Sequence, residues 1–225
     1  MATLLTGFSI LLAEAAAKLY QRLHALNFGV YGASKVGKTT LHHQLRTRGE
    51  VPNIAERTVG LNRTTRKVVK IDKDSRTIKT ADVGGQSYYW DAWQKDMRNR
   101  HVKYIIFMID DRHLREAYNL ENQLGWQFMV DTICDEYWRL NKNKSKKKKE
   151  KDFPIAVGIW ANKYDLWKDN YEFDGSIDKH PIFEPFRLGM QRLQDKGIPC
   201  FKYIVSAKSD PEMVYRGIMT MVKEY

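Results

Sequence analysis

Gly32-Ala33-Ser34-Lys35-Val36-Gly37-Lys38-Thr39 follows the pattern GxxxxGK[ST] in full. Glycines in such a segment let the backbone curl until successive N–H groups face inward, which makes a cradle for phosphate oxygens. The apolar run Asn27-Phe28-Gly29-Val30-Tyr31 precedes it and a helical pattern begins at Lys38, so a helix N-terminus would add its dipole to the same anion site. Ser34, Lys35, Val36, Gly37, Lys38, Thr39 and Thr40 are therefore expected to line a phosphate chain. Lys38 would reach the β- and γ-phosphates, and Thr39 would give its hydroxyl to Mg²⁺.

A second group, Asp82-Val83-Gly84-Gly85-Gln86, begins 44 residues after Lys38. Asp82 can hold Mg²⁺ through water, Gly85 can bring its N–H to a γ-phosphate, and Gln86 can orient an attacking water. Alone, a DxGG segment is an ordinary strand-to-turn signal; behind a phosphate loop it reads as a phosphate sensor. Asn162-Lys163-Tyr164-Asp165 follows the apolar run that ends at Trp160. The Asp165 carboxylate can accept from the N1–H and 2-amino groups of guanine, donors adenine lacks in that arrangement. A site built on such bonds rejects the analogue that cannot make them. Lys163 would lay its stem on the base, and Asn162 would tie this loop to the phosphate loop. Ser206-Ala207-Lys208 closes the set, with the Ala207 N–H expected to meet the guanine O6. The implied ligands are GTP or GDP with Mg²⁺; an ATP-dependent kinase would require Asp165 to be accidental.

Residues this far apart need strands to bring their loops together. Apolar runs predict strands over 27–31, 65–71, 76–83, 103–109, 154–160 and 200–205, and periodicity predicts helices over 38–46, 114–140, 181–195 and 211–223. Asp72-Lys73-Asp74-Ser75 is turn chemistry, so the second and third strands form a hairpin; residues 50–62 read as irregular. The expected fold is α/β of the P-loop NTPase type: a mostly parallel central sheet with one antiparallel hairpin strand and helices on both faces. Ligands of such sheets bind at the carboxyl edge. Ahead of this domain (residues 26–225), Leu4, Phe8, Leu11, Leu12, Ala15, Leu19, Leu23 and Leu26 recur at three- and four-residue steps, which predicts an amphipathic helix over residues 1–25.

With these motifs in order, the chain resembles the Ras-like superfamily of small GTPases over roughly residues 26–225, and its Arf/Sar branch best. The DVGGQ form at 82–86 is typical of Arf-like proteins and of heterotrimeric G-protein α subunits. Arg57-Thr58-Val59-Gly60-Leu61-Asn62 looks like the Arf-type PTxGxN segment, with Arg57 where proline is usual. The resemblance implies that Thr58 meets Mg²⁺ and the γ-phosphate. It also implies a slow GTP hydrolysis served by Gln86, Lys38 and Thr58, a switch cycle, and the need for an exchange factor and a GTPase-activating protein. A GTP-binding adaptor or receptor subunit that does not cycle is the alternative. No arginine offers itself as a built-in finger; Arg57 is the nearest by position. In Arf proteins the N-terminal helix docks on the body with GDP and reaches membrane with GTP; here permanent docking and lipid binding both stay open. Ala2, where acylated members carry glycine, leads to the expectation of no myristoylation.

The net charge of +11 and pI near 9.5 would suit an anionic partner. Yet seven lysines and one glutamate crowd into residues 141–151, and the remainder is only mildly basic, so nucleic-acid binding is not inferred. That loop is either a solvated surface loop or a contact for anionic lipid or an acidic partner. Cys134 and Cys200 lie in apolar runs with no metal-ligand spacing and read as two buried thiols of a reducing compartment. No secretory signal or prenylation box is expected, which favours a cytoplasmic protein with optional peripheral membrane contact. His42, His43, Trp90, Trp93 and Trp160 read as structural.

Overall fold

The chain's buried runs become strands because residues apolar on both faces must be covered on both faces. In the computed structural model, residues 26–47, 61–71, 74–116, 118–141, 154–171 and 175–223 are described, with backbone alone at 46–47, 61–71, 74–76, 136–141 and 223. The strands are β1 (Leu26–Gly32), β2 (Leu61–Ile71), β3 (Asp74–Val83), β4 (Tyr104–Ile109), β5 (Ala156–Ala161) and β6 (Cys200–Ile204). They form one sheet in the order β2-β3-β1-β4-β5-β6. Strands β3, β1, β4, β5 and β6 run parallel, and β2 pairs antiparallel with β3 at the edge. The chain leaves β1 to build one side of the sheet and returns to its other side at β4, so the carboxyl end of β1 is the topological switch point where a ligand crevice opens.

Alternate residues of the central strands serve opposite cores. Ile105, Phe107 and Ile109 of β4 pack with Trp93, Trp126, Met129 and Leu193. Tyr104, Ile106 and Met108 pack with Leu41, Leu45, Val214 and Ile218. The first face is covered by α2 (Trp90–Arg100), α4 (Glu121–Asn141) and α6 (Arg187–Gln194), the second by α1 (Lys38–Thr47) and α7 (Pro211–Lys223). Two one-turn helices, α3 (Arg112–Arg115) and α5 (Tyr164–Trp167), follow β4 and β5.

Several elements differ from the sequence expectation. The helix expected over 114–140 is split into α3 and α4. Asn119 N–H bonds back to Glu116 O at 2.8 Å and its side chain accepts the Glu121 N–H at 3.4 Å, so local Asn bonding starts a new helix rather than continuing the old one. Over 181–195, a 3-10 segment, Pro181–Phe186, precedes α6. Pro185 brings no N–H to an α-helical ladder there, and His180 Nδ1 caps the segment by accepting Ile182 N–H at 3.2 Å. Leu26 belongs to β1 rather than to an N-terminal helix, and β2 begins at Leu61, inside the stretch read as irregular. Cys134 is buried as expected, but Cys200 is only half-buried. The helix expected over residues 1–25, the turn at 72–73 and the lysine run at 142–151 lie outside the described residues.

Helix α2 had no counterpart in the sequence reading. Trp90, Trp93 and Met97 face the core, Asp91 sits in the first turn and Arg98 and Arg100 in the last, each charge on the favourable end of the dipole. Its end is bolted to β1. Tyr31 Oη donates to Asp96 Oδ2 at 2.7 Å, Arg100 Nε to Asp96 Oδ1 at 2.6 Å, and Arg100 Nη1 to Phe28 O at 2.9 Å. Burial and the neighbouring Asp96 charge push the Tyr31 phenol well above its ordinary range, so it stays a donor. Removing one member of a buried ion pair leaves its partner's charge uncompensated. Arg100→Ala should therefore lower unfolding stability by about 3 kcal/mol or more, read as a shifted urea midpoint with an unchanged slope.

Candidate functional site

Loops from the carboxyl ends of β1, β3, β4, β5 and β6 meet at one edge of the sheet. The β1 loop curls as its glycines require. Gly37 has φ 99°, and a Cβ there would run into Asn162 Nδ2; Lys35 is also left-handed, with φ 63°. Val36 is buried beside α1, Ser34, Gly37, Thr39 and Thr40 are half-buried, and Lys35 is exposed. Lys38 is buried, and its Nζ donates to Gly32 O at 2.9 Å and Ala33 O at 2.6 Å. Burial pushes its ammonium down to about 8, against the opposing pull of Asp82 and Glu121.

The β3 end comes directly over this loop. Thr39 Oγ1 donates to Asp82 Oδ2 at 3.0 Å. Gly85 is buried so close that a Cβ would overlap Lys38 Nζ and Ala33 O. The Gly84 and Gly85 carbonyls accept from the indoles of Trp93 at 2.8 Å and Trp90 at 3.4 Å. Gln86 is half-buried, and its Oε1 accepts the Tyr88 hydroxyl at 2.7 Å.

Asn162 joins the β5 loop to two others: Nδ2 donates to Val36 O at 2.8 Å and Oδ1 accepts Ala207 N–H at 2.9 Å. The Ala207 N–H, expected to meet a guanine O6, is therefore engaged by Asn162 instead. Ser206 Oγ accepts the Asp165 N–H at 3.0 Å, while Asp165 itself is exposed. Lys163 adopts a left-handed backbone, φ 64°, and its Nζ reaches Asp110 Oδ2 at 3.0 Å. Lys208 is exposed on the β6 loop. Thr58 and Arg57 lie outside the described residues.

The β4 end contributes residues the sequence reading missed. Arg112 Nε and Nη2 grip Asp110 at 2.7 and 2.8 Å, Nη1 reaches Glu121 Oε2 at 2.9 Å, and Nη2 also reaches Ser34 O at 2.8 Å. Glu121 Oε1 accepts Ser34 N–H at 3.0 Å. Both polar backbone groups of Ser34 are thus held by the β4–α4 region. Burial opposes charge on Asp110, but Arg112 and Lys163 outweigh it and hold the carboxyl below its usual range. The available signal was Asp110-Asp111-Arg112, a charged triplet directly after a wholly apolar strand.

A family model described as Ras family matches residues 28–170. The chain belongs to the Ras family. Proteins of the Ras family are small GTPases, guanine-nucleotide-binding switches governed by regulators, and the matched segment holds the loops after β1, β3, β4 and β5. An anion seated in the β1 loop would lie beside the Lys38 ammonium, whose charge burial already disfavours. Above pH 8, Lys38 loses charge, and an anion arriving beside it favours the protonated form, so binding takes up a proton there. Affinity for a nucleoside triphosphate should be flat from pH 6 to 7.5 and fall by up to about tenfold per unit above pH 8, as measured by calorimetric titration.

Proposed function

We propose that this Ras-family chain is an Arf-like GTP/GDP switch that hydrolyses GTP slowly. The observation carrying this reading is the Asn162 carboxamide, which joins the phosphate loop, the loop bearing Asp165 and the loop bearing Ala207, so that one ligand with a base and a phosphate chain can touch them all. Lys38 and the N–H groups of residues 35–40 bind phosphate oxygens, with α1 adding its dipole; the Ser34 N–H, expected among them, is held by Glu121 instead. Asp165 selects guanine, Lys163 covers the base with its stem, Ser206 and Ala207 seat Asp165 and Asn162, and Lys208 flanks the pocket.

The paired Thr39 hydroxyl and Asp82 carboxylate are hard oxygen donors of the kind Mg²⁺ takes, so they would hold the ion, joined by Thr58. Bound there, Mg²⁺ would supply positive charge to the phosphate chain. Gly85 offers its N–H to the γ-phosphate and Gln86 orients the attacking water. Tyr88 donates to the Gln86 acceptor oxygen, a contact that would have to break before Gln86 could accept from water, which supports a slow intrinsic turnover raised by a partner protein. The DVGGQ segment and residues 57–62 favour the Arf-like branch. Residues 1–24 and 141–151 supply peripheral membrane contact on the cytoplasmic side.

Competition between GTP and ATP tests the base reading. Wild type should prefer GTP by at least about a hundredfold, and Asp165→Ala should lose most of that preference; equal affinity of wild type for both nucleotides would sink it. Gln86→Leu should keep GTP affinity and slow single-turnover hydrolysis by at least about tenfold; unchanged turnover would remove Gln86 from the mechanism.

A further inference from the structure

Trp93 is fully buried, and its Nε1–H donates to Gly84 O at 2.8 Å. That carbonyl shares a peptide unit with the Gly85 N–H. The unit is planar, and no cis peptide occurs among the described residues. A trans peptide aims its C=O and N–H in opposite directions. Drawing the Gly84 carbonyl into the core therefore turns the Gly85 N–H out of it, on the residue whose Cα stands against Lys38 and Ala33.

Glycines on both sides of a peptide leave it free to rotate, since neither carries a Cβ to bias φ and ψ. The indole removes that freedom, and the indole itself cannot swing. Tyr31 and Trp90 lie 5.7 Å from it, Phe107 and Phe128 close it edge-on at 6.2 Å, and a Cβ on Gly125 would come within 3.4 Å of its far corner. One turn further along α2, Asp96 is fixed by Tyr31 and Arg100. The second indole, Trp90, reaches Gly85 O at only 3.4 Å and is half-buried.

We propose that Trp93 is a positioning residue for γ-phosphate recognition: its indole N–H orients the Gly84–Gly85 peptide so that the Gly85 N–H is aimed at the third phosphate before nucleotide arrives. The inference rests on the guanine-nucleotide reading of the site. Its signature is differential, because GDP has no γ-phosphate to meet that N–H. A residue that merely packs would weaken both nucleotides alike or lower stability alone.

The test is calorimetric affinity for GDP and for a non-hydrolysable GTP analogue in wild type, Trp93→Phe and Trp90→Phe, with thermal melts alongside. Trp93→Phe should weaken the analogue by about fivefold while GDP stays within about twofold, and Trp90→Phe should leave the ratio of the two affinities unchanged. If Trp93→Phe fails to fold, the benzothiophene analogue of tryptophan at position 93 keeps the ring shape without the N–H and should give the same differential loss. Equal affinities for the analogue in wild type and variant, or parallel loss for both nucleotides, would overturn the proposal while leaving the guanine-nucleotide reading intact. A wild-type protein that binds neither nucleotide would overturn both.

Discussion

Asn162 has one NH₂ group and one carbonyl oxygen, and both are used inside the protein. They bind main-chain groups of loops 126 and 45 residues away along the chain. The residue is 3% exposed, and a buried amide left half-paired would cost about 1–3 kcal/mol. The bonds therefore exist together or not at all, and they set the spacing between the phosphate loop and the loops that follow β5 and β6. The parallel sheet delivers these loops to one edge; the carboxamide fixes how far apart they stand.

Charge is arranged with similar economy. Arg112 and Lys163 are committed to Asp110 and Glu121, so the cations beside the loops are largely neutralised by neighbours. Among the described residues, Lys38, Lys35 and Lys208 are the cations of these loops outside those ion pairs, and the α1 dipole adds to them. Specific chemistry at the loops and bulk basicity are separate properties here, the latter concentrated in the lysine run.

The strands and most helices could be read from the sequence because their residues announce them. Wholly apolar β4 and β5 can only be buried strands, and Gly-x-x-x-x-Gly-Lys-Thr has a backbone requirement few other structures share. Helix α2 escaped because its sequence is mostly polar and its core contacts come from Trp90, Ala92, Trp93 and Met97; the periodicity is present but thin. The Arg112 network escaped for a different reason. Its bonds link residues 78 and 9 positions apart, and nothing in a charged triplet tells which carbonyl an arginine will find. Motif residues were thus legible, while the side chains that hold them in place depend on tertiary geometry. The Ala207 N–H shows the same limit, since only the folded arrangement reveals that Asn162 takes it.

The contrast between buried and exposed parts around Gln86 has its own consequence. Gly85 is buried, Trp93 is buried, and the far end of α2 is riveted to β1 through Asp96 and Arg100. Between them, Ser87 and Tyr88 are exposed and Tyr89 half-exposed, in a single 3-10 turn. The exposed part of this segment is about one turn of chain, so a partner that engages Gln86 there meets only a few residues. At about 1–2 kcal/mol per residue of backbone entropy, ordering so few residues would cost a partner only a few kcal/mol.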